Sequence, residues 1–161
     1  MDFVKVQGLG NDFIVVDGPF VPTAEAVRQW CERRTGVGAD GVLVIEPEGE
    51  TAMSMRYWNR DGSEAEMCGN GLRCVAKLAY EREWVTGREF IVHTAAGDHP
   101  VTVKDGSVVA WVGEPNRFRT DTLAVAGHDI YPFAIGNPHA VMLVDDVDDV
   151  AVEEIGPRIE H

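Results

Sequence analysis

The chain has 161 residues, with 14 Lys or Arg against 27 Asp or Glu for a formal net charge of −13, and 45% of its residues are hydrophobic. That length is ample for one hydrophobic core and leaves room for part of another. The acidic balance excludes a basic nucleic-acid-binding face over the molecule as a whole and opposes docking on an anionic bilayer, so neither nucleic acid nor membrane is an expected partner. Three cysteines without framework spacing point to free thiols in a reducing compartment. Residues 1–12 lack the charged and apolar stretches of a signal peptide and no run of 18 apolar residues occurs, so the expected location is cytoplasmic.

Two short apolar stretches, 3–6 and 13–16, flank Gly8-Leu9-Gly10-Asn11-Asp12, which predicts a β-hairpin with a connection longer than two residues. Pro22-Thr23 introduces a predicted helix over 24–34, capped by Thr23, with Val27, Trp30 and Cys31 on one face. Strands are predicted over 42–45 and 53–58. A second helix is predicted over 72–83, with Leu72, Val75, Ala76 and Ala79 as its apolar stripe. Short strands follow over 90–93, 101–104 and 108–112, the last two joined by a tight Asp105-Gly106 turn. The class is α+β, strand-rich with few helices. The aperiodic interval 113–127, with Pro115 and Asn116, predicts a boundary, giving a first lobe over 1–115 and the start of a second over 116–161. Gly10-Asn11, an apolar run and Asp17 are echoed by Gly136-Asn137, the apolar run 140–144 and Asp145. This suggests a duplicated lobe, although Gly-Asn before a strand is also ordinary turn chemistry.

Gly36-Val37-Gly38-Ala39-Asp40-Gly41 has dinucleotide-fingerprint spacing, but it follows a helix and precedes a strand, the reverse of the order that fingerprint needs. Its glycines are expected to serve a connection with positive φ angles. His93 and His99 lack metal-site spacing, and the run Asp145, Asp146, Asp148 and Asp149 lacks the alternation and glycine of a calcium loop, so no metal site is expected. Cys31 falls on the apolar face of the first helix and Cys74 inside the second. Cys68 differs from both, because it precedes Gly69-Asn70-Gly71 at a helix start. Unpaired N–H groups and the helix dipole there favour negative charge, lower a thiol's pKa and suit a substrate carboxylate. A buried structural cysteine at a helix entry is the plainer alternative. Asn11, Asn59 and His139 sit in turn chemistry and are, on local grounds, either turn formers or ligands.

Taken together, Gly8-Leu9-Gly10-Asn11-Asp12-Phe13, Arg34-Thr35-Gly36-Val37-Gly38-Ala39-Asp40-Gly41, Asn59-Arg60-Asp61-Gly62-Ser63, Met67-Cys68-Gly69-Asn70-Gly71-Leu72-Arg73-Cys74 and Gly136-Asn137-Pro138-His139 resemble the diaminopimelate epimerase family, in that family's order across essentially the whole chain. The resemblance implies two pseudo-symmetric α/β lobes, each a mixed β-sheet wrapped around a central helix, with the active site in the cleft between them. It implies an isomerase without pyridoxal phosphate or any other cofactor. Such an enzyme interconverts LL- and meso-diaminopimelate for lysine and peptidoglycan synthesis, one thiolate removing the α-proton and a thiol on the opposite face returning one. Carried over residue by residue, Cys68 is one catalytic thiol and His139 the active-site histidine. Gly69 and Asn70 bind the carboxylate, and Asn11, Asn59 and Asn137 are substrate ligands. The implied partner is the small-molecule substrate, with a homodimer left open.

Two departures accompany the resemblance. Gly41 stands where some members carry a glutamine that touches substrate. The family's second cysteine, in a Cys-Gly-Thr-Gly-type segment after an Asn and a Glu-Arg pair, has no counterpart: the 68 − 11 = 57 residues from Asn11 to Cys68, counted from Asn137, lead to position 194, past His161. The expectation is therefore a first lobe plus the opening strands of a second, with no epimerisation by the 161 residues alone. Other readings are a proline or hydroxyproline racemase or a phenazine-precursor isomerase on the same scaffold, and a non-catalytic module that binds an amino-acid carboxylate at the Cys68 helix terminus.

Overall fold

In the computed structural model, which describes residues 2–117, 119–135 and 137–160, the chain opens with the antiparallel hairpin β1 (Val4–Gly8) and β2 (Asn11–Asp17). Its connection is two residues, Leu9 and Gly10, at φ 54° and 89°. The longer loop expected from the sequence is absent because Gln7 and Gly8 pair with Asp12 and Asn11, and two positive φ angles fit the twist of the flanking strands. The chain divides into two units, Met1–Val112 and Gly113–His161.

The first unit continues with α1 (Ala24–Cys31), β3 (Gly41–Pro47), β4 (Ala52–Asn59), β5 (Glu64–Ala65), α2 (Gly69–Glu81), β6 (Glu89–Thr94), β7 (Gly97–Lys104) and β8 (Ser107–Ala110). The sheet runs β1-β2-β3-β4-β6-β7-β8 with β5 beside β4, and it is mixed: β2 with β3 and β4 with β6 are parallel. Both edge strands, β1 and β8, contact α2, so the sheet curls around that helix. The face towards α2 buries Phe13, Val15, Leu43, Ile45, Met53 and Met55 against Leu72, Val75, Ala76 and Ala79. The opposite face buries Ile14, Val16, Val42, Val44 and Trp58 against Val27, Cys31 and Ala39 of α1 and its exit. This two-sided burial explains the nearly continuous apolar runs of β2 and β3.

α1 ends at Cys31 rather than at residue 34, because the following loop supplies its C-terminal partners: Gly36 N–H donates to Glu32 O, Gly38 N–H to Trp30 O and Ala39 N–H to Cys31 O. Of the three glycines in 36–41, Gly38 alone has positive φ, 78°. Gly36 instead leaves no room for a Cβ against the Gln29 carbonyl, so close approach, not left-handed backbone, selects glycine there. α2 begins three residues earlier than the propensity pattern indicates, since Cys68 is its N-cap. Leu72 N–H donates to Cys68 O at 2.8 Å, and Gly71 lets the first turn sit against Leu43, whose Cδ2 would lie 3.1 Å from an added Cβ. α2 stops at Glu81, where Trp84 N–H donates to Ala79 O and Glu83 takes φ 56°. β7 and β8 meet at the expected two-residue Asp105-Gly106 turn, and β8 ends at Ala110 instead of Val112.

The second unit is an antiparallel three-stranded sheet of β9 (Leu123–Val125), β10 (His128–Ile135) and β11 (Asn137–Met142), followed by α3 (Val152–Glu160). β11 ends with the Ile130–Met142 pair, short of the expected 144, and Leu143 is exposed. Asn137 opens β11 and pairs with Ile135 as Asn11 opens β2 and pairs with Gly8; Gly136, the glycine of the echo, lies outside the described residues. α3 is not among the predicted helices, and Gly156 and Pro157 lie inside it. Val152, Ile155 and Ile159 nonetheless recur at helical spacing, with Glu153 and Glu154 in the first turn and Arg158 in the last.

Candidate active site

Strand register brings the motif residues of the first unit to one place. Phe13 pairs with Gly41 and Gly41 with Asn59, so these three share a sheet face, and the two-residue period of the strands adds Asn11 and Tyr57. It is the face covered by α2. β2 and β3 begin and β4 ends on the same edge, which is where the first turn of α2 lies: Asn70 Nδ2 donates to Asn11 Oδ1 at 2.8 Å, and the Asn70 carbonyl is 3.3 Å from an added Gly8 Cβ. Asn11, Asn59, Cys68, Gly69 and Asn70 thus belong to one constellation.

Cys68 is half-buried, and its Sγ accepts from Gly71 N–H at 3.5 Å. The expectation of a depressed thiol is not met. Burial, which disfavours the thiolate, pushes Cys68 above its ordinary value, outweighing the amides of Gly71 and Asn70 that pull it down. The consequence is a thiol that holds its proton more tightly than an ordinary cysteine. Cys74 is raised as well, by burial first and then by the neighbouring Cys68, and has no amide donors aimed at it. Cys31 is buried among the α1 core residues.

The asparagines are held by groups the sequence reading passed over. Asp40 Oδ2 accepts from Asn11 Nδ2 at 3.4 Å and from Asp12 N–H at 3.1 Å. Arg33 clamps Asp12 with two bonds, 3.1 and 2.7 Å, and reaches Asp40 Oδ1 at 2.8 Å; Lys5 lies 2.9 Å from Asp12 and also donates to the Gly38 carbonyl. Arg33, against the opposing effect of burial and with help from Lys5, holds the Asp12 carboxyl well below the usual carboxylate range. Asp40 acts as a hub, since its backbone also ties Asp12 O to the loop after β4, through Arg60 N–H at 3.1 Å. With its NH2 turned to Asp40, Asn11 presents its oxygen to Asn70. Asn59 Nδ2 donates to Ser63 Oγ at 3.1 Å, and Ser63 in turn donates to Asp61 Oδ1 at 2.6 Å. The available signal was the Asp beside each motif, Asp12 after Asn11 and Asp40 before Gly41, which the glycine pattern overshadowed.

Asn137 and His139 lie on β11 of the second unit, both exposed, with His139 Nε2 3.0 Å from Asn137 Oδ1. Elsewhere, His99 is buried between Thr94 Oγ1 at 3.0 Å and the Trp111 carbonyl at 3.1 Å, a structural position in which Nδ1 donates to the carbonyl. His93 pairs with Asp98 at the surface. Among the described residues, no group of three or more His, Cys, Asp or Glu is placed to hold a metal ion, and no helix is long and apolar enough to cross a membrane.

The mixed sheet curled around a helix capped by Cys68 matches the proline racemase and diaminopimelate epimerase-like fold. Among solved structures, a hydroxyproline epimerase from Agrobacterium vitis superposes with a TM-score of 0.65 at 16% identity, over 87% of this chain and 50% of that one, a likeness of fold. The diaminopimelate epimerase family profile matches residues 3–118. Diaminopimelate epimerases from Synechocystis sp. and Methanothermobacter thermautotrophicus are 42% and 40% identical over 100% and 99% of this chain. The chain belongs to the diaminopimelate epimerase family. It spans 66% and 65% of the length of those two relatives.

Proposed function

We propose that this chain contributes one acid–base thiol, Cys68, to the cofactor-independent interconversion of LL- and meso-diaminopimelate. The observation that carries the reading is the α2 N-terminus. There a thiol and the first-turn amides of Gly69, Asn70 and Gly71 stand at one sheet edge beside Asn11 and Asn59, in a chain of this family.

An α-proton beside a carboxylate is weakly acidic, so removing it without a cofactor needs donors aimed at the charge that develops on the carboxylate and a base of high proton affinity. The amides of Gly69 and Asn70 supply such donors, assisted by the helix dipole. The base is the thiolate form of Cys68, which the amides of Gly71 and Asn70 favour; because burial raises the thiol's pKa, that thiolate binds the α-proton more tightly than an ordinary one. Inversion requires a second acid–base group on the opposite face of Cα, because one group acting alone returns the proton with retention. Asn11 and Asn59 are assigned to the polar groups of the substrate, with Asp40 and Ser63 fixing their amide orientations. Asn137 and His139 are assigned to the same substrate on their motif alone. No cofactor is assigned. The location is proposed as cytoplasmic on the three free cysteines, and the assembly as a homodimer on the family resemblance.

The test is turnover by the native gene product on LL-diaminopimelate: meso product that disappears in Cys68→Ser supports the reading. Residues 1–161 alone are expected to give no meso product, and sustained turnover by them would contradict the two-thiol account. A panel with proline and hydroxyproline separates the epimerase of the fold-level neighbour from the diaminopimelate reading.

A further inference from the structure

Tyr57 and Gly41 occupy a single place in the site. Tyr57 pairs with Leu43, one row deeper in the sheet than the Gly41–Asn59 pair. Its ring leans outward over Gly41. A Cβ added at Gly41 would lie 2.5 Å from Tyr57 Cε2 and 3.1 Å from the Tyr57 hydroxyl, so a side chain at position 41 and this ring exclude one another. The ring is fixed by the core cluster it packs on and by an edge contact with Phe13, 6.0 Å between centroids at 81°. The hydroxyl therefore stands in the row of Asn59 and Phe13, on the face of Cys68, where position 41 itself offers no side chain.

The hydroxyl makes no hydrogen bond to the described residues, and none of their buried side-chain oxygens lacks a partner, so this hydroxyl reaches solvent rather than being sealed in the core. Burial above all pushes its ionisation well above the ordinary phenol value. It remains a hydrogen-bond donor at any working pH. A neutral donor on the face of the helix-terminal amides suits an anionic ligand atom.

We propose that Tyr57 is a substrate-binding residue, its hydroxyl donating to a carboxylate oxygen of the ligand held at the α2 N-terminus and taking the ground that a longer side chain at position 41 would occupy. The proposal rests on the carboxylate reading of that terminus. The pair forms one specificity element: the tyrosine ring and the Trp58 carbonyl, each 2.5 Å from an added Cβ, together require the glycine, and the tyrosine reaches the ligand because the glycine leaves it room.

Alkylation of Cys68 tests this without catalytic turnover. The probes are iodoacetate, which carries a carboxylate, and neutral iodoacetamide, with the modified Cys68 peptide quantified by mass spectrometry. The native protein is expected to favour iodoacetate over iodoacetamide at Cys68 more than a free thiol does. Tyr57→Phe keeps the ring and removes the donor. It is expected to lower that ratio about fivefold, the worth of one hydrogen bond, while leaving the iodoacetamide rate within about twofold. A merely structural role would change both rates together, and an unchanged ratio in Tyr57→Phe overturns the proposal while the carboxylate reading stands. If the native protein shows no preference for iodoacetate, the carboxylate reading itself fails and the Tyr57 proposal with it. Gly41→Ala, which keeps the hydroxyl but displaces the ring, is expected to lower the ratio as Tyr57→Phe does; a ratio at the native value there also counts against it.

Discussion

The two units hold their motif residues by different means. In Met1–Val112, Asn11, Asn59, Cys68 and Asn70 sit on the rim of a sheet whose next rows are fully buried, and each is tied to a neighbour that is itself tied down: Asn70 to Asn11, Asn11 to Asp40, Asp40 to Arg33. In Gly113–His161, Asn137 and His139 stand exposed on a short sheet, bonded to one another, and α3 buries no residue. Pre-organisation of a site follows from the packing beneath it. The contrast is one of support: a chain of partners holds the motif residues of the first unit, and a single pair those of the second.

The largest effect is kinetic. Cys68→Ser in the native gene product is expected to reduce turnover about 10²–10⁴-fold, the range for a positioned acid–base group, with the circular dichroism spectrum unchanged. Stability should separate the units next. Leu72→Ala, on the fully buried face of α2, is expected to cost about 2–5 kcal/mol in chemical denaturation, whereas Val152→Ala on exposed α3 should stay within about 0.5 kcal/mol. Equal costs would erase the contrast. Gly41→Ala forces a Cβ to within 2.5 Å of the Trp58 carbonyl as well as the Tyr57 ring, and overpacking of this kind is expected to cost about 1–3 kcal/mol.

Asp40→Asn breaks the hub while keeping its shape. The new NH2 faces the Asn11 amide, and kcat/KM is expected to fall about tenfold, with the thiol reactivity of Cys68 preserved. The smallest effect depends on pH. A carboxylate held below its ordinary value stabilises the fold above that value, and the contribution drains as the pH falls through its lower folded value. Arg33→Ala should therefore be less stable than the native chain near pH 7, and the gap should narrow as the pH drops below 3.8. Denaturation midpoints across that interval check the sign.

Much of the first unit was legible. The stripe at Leu72, Val75, Ala76 and Ala79, the Thr23 cap and the Asp105-Gly106 turn are local signals, and local signals carry strands and helices. Legibility failed where a distant partner decides. Gly69 and Gly71 are poor helix formers, yet they make a first turn because the chain must approach Leu43 closely and Cys68 caps it. The helix at 152–160 hides behind Gly156 and Pro157, and its apolar spacing is the cue that outweighs them.

Within the candidate site, the residue types were readable from their motifs but their supports were not. That Asp40 orients Asn11 depends on register between β2 and β3, which no single segment reveals. Nor does composition predict that burial overrides the helix terminus at Cys68, since the terminus is local and the burial is assembled by the curled sheet. Tyr57 was invisible for a related reason: it shares a site with Gly41 only because β3 and β4 pair in one particular register.

The central claim, that Cys68 moves the α-proton, is tested most directly by isotope exchange. The native gene product is incubated with LL-diaminopimelate in D2O, and deuterium at the α-carbon is followed by NMR beside the same protein carrying Cys68→Ala. The account predicts solvent deuterium at the α-carbon as meso product forms and a loss of both in the variant. Deuterium entering at the native rate with Cys68→Ala would contradict it.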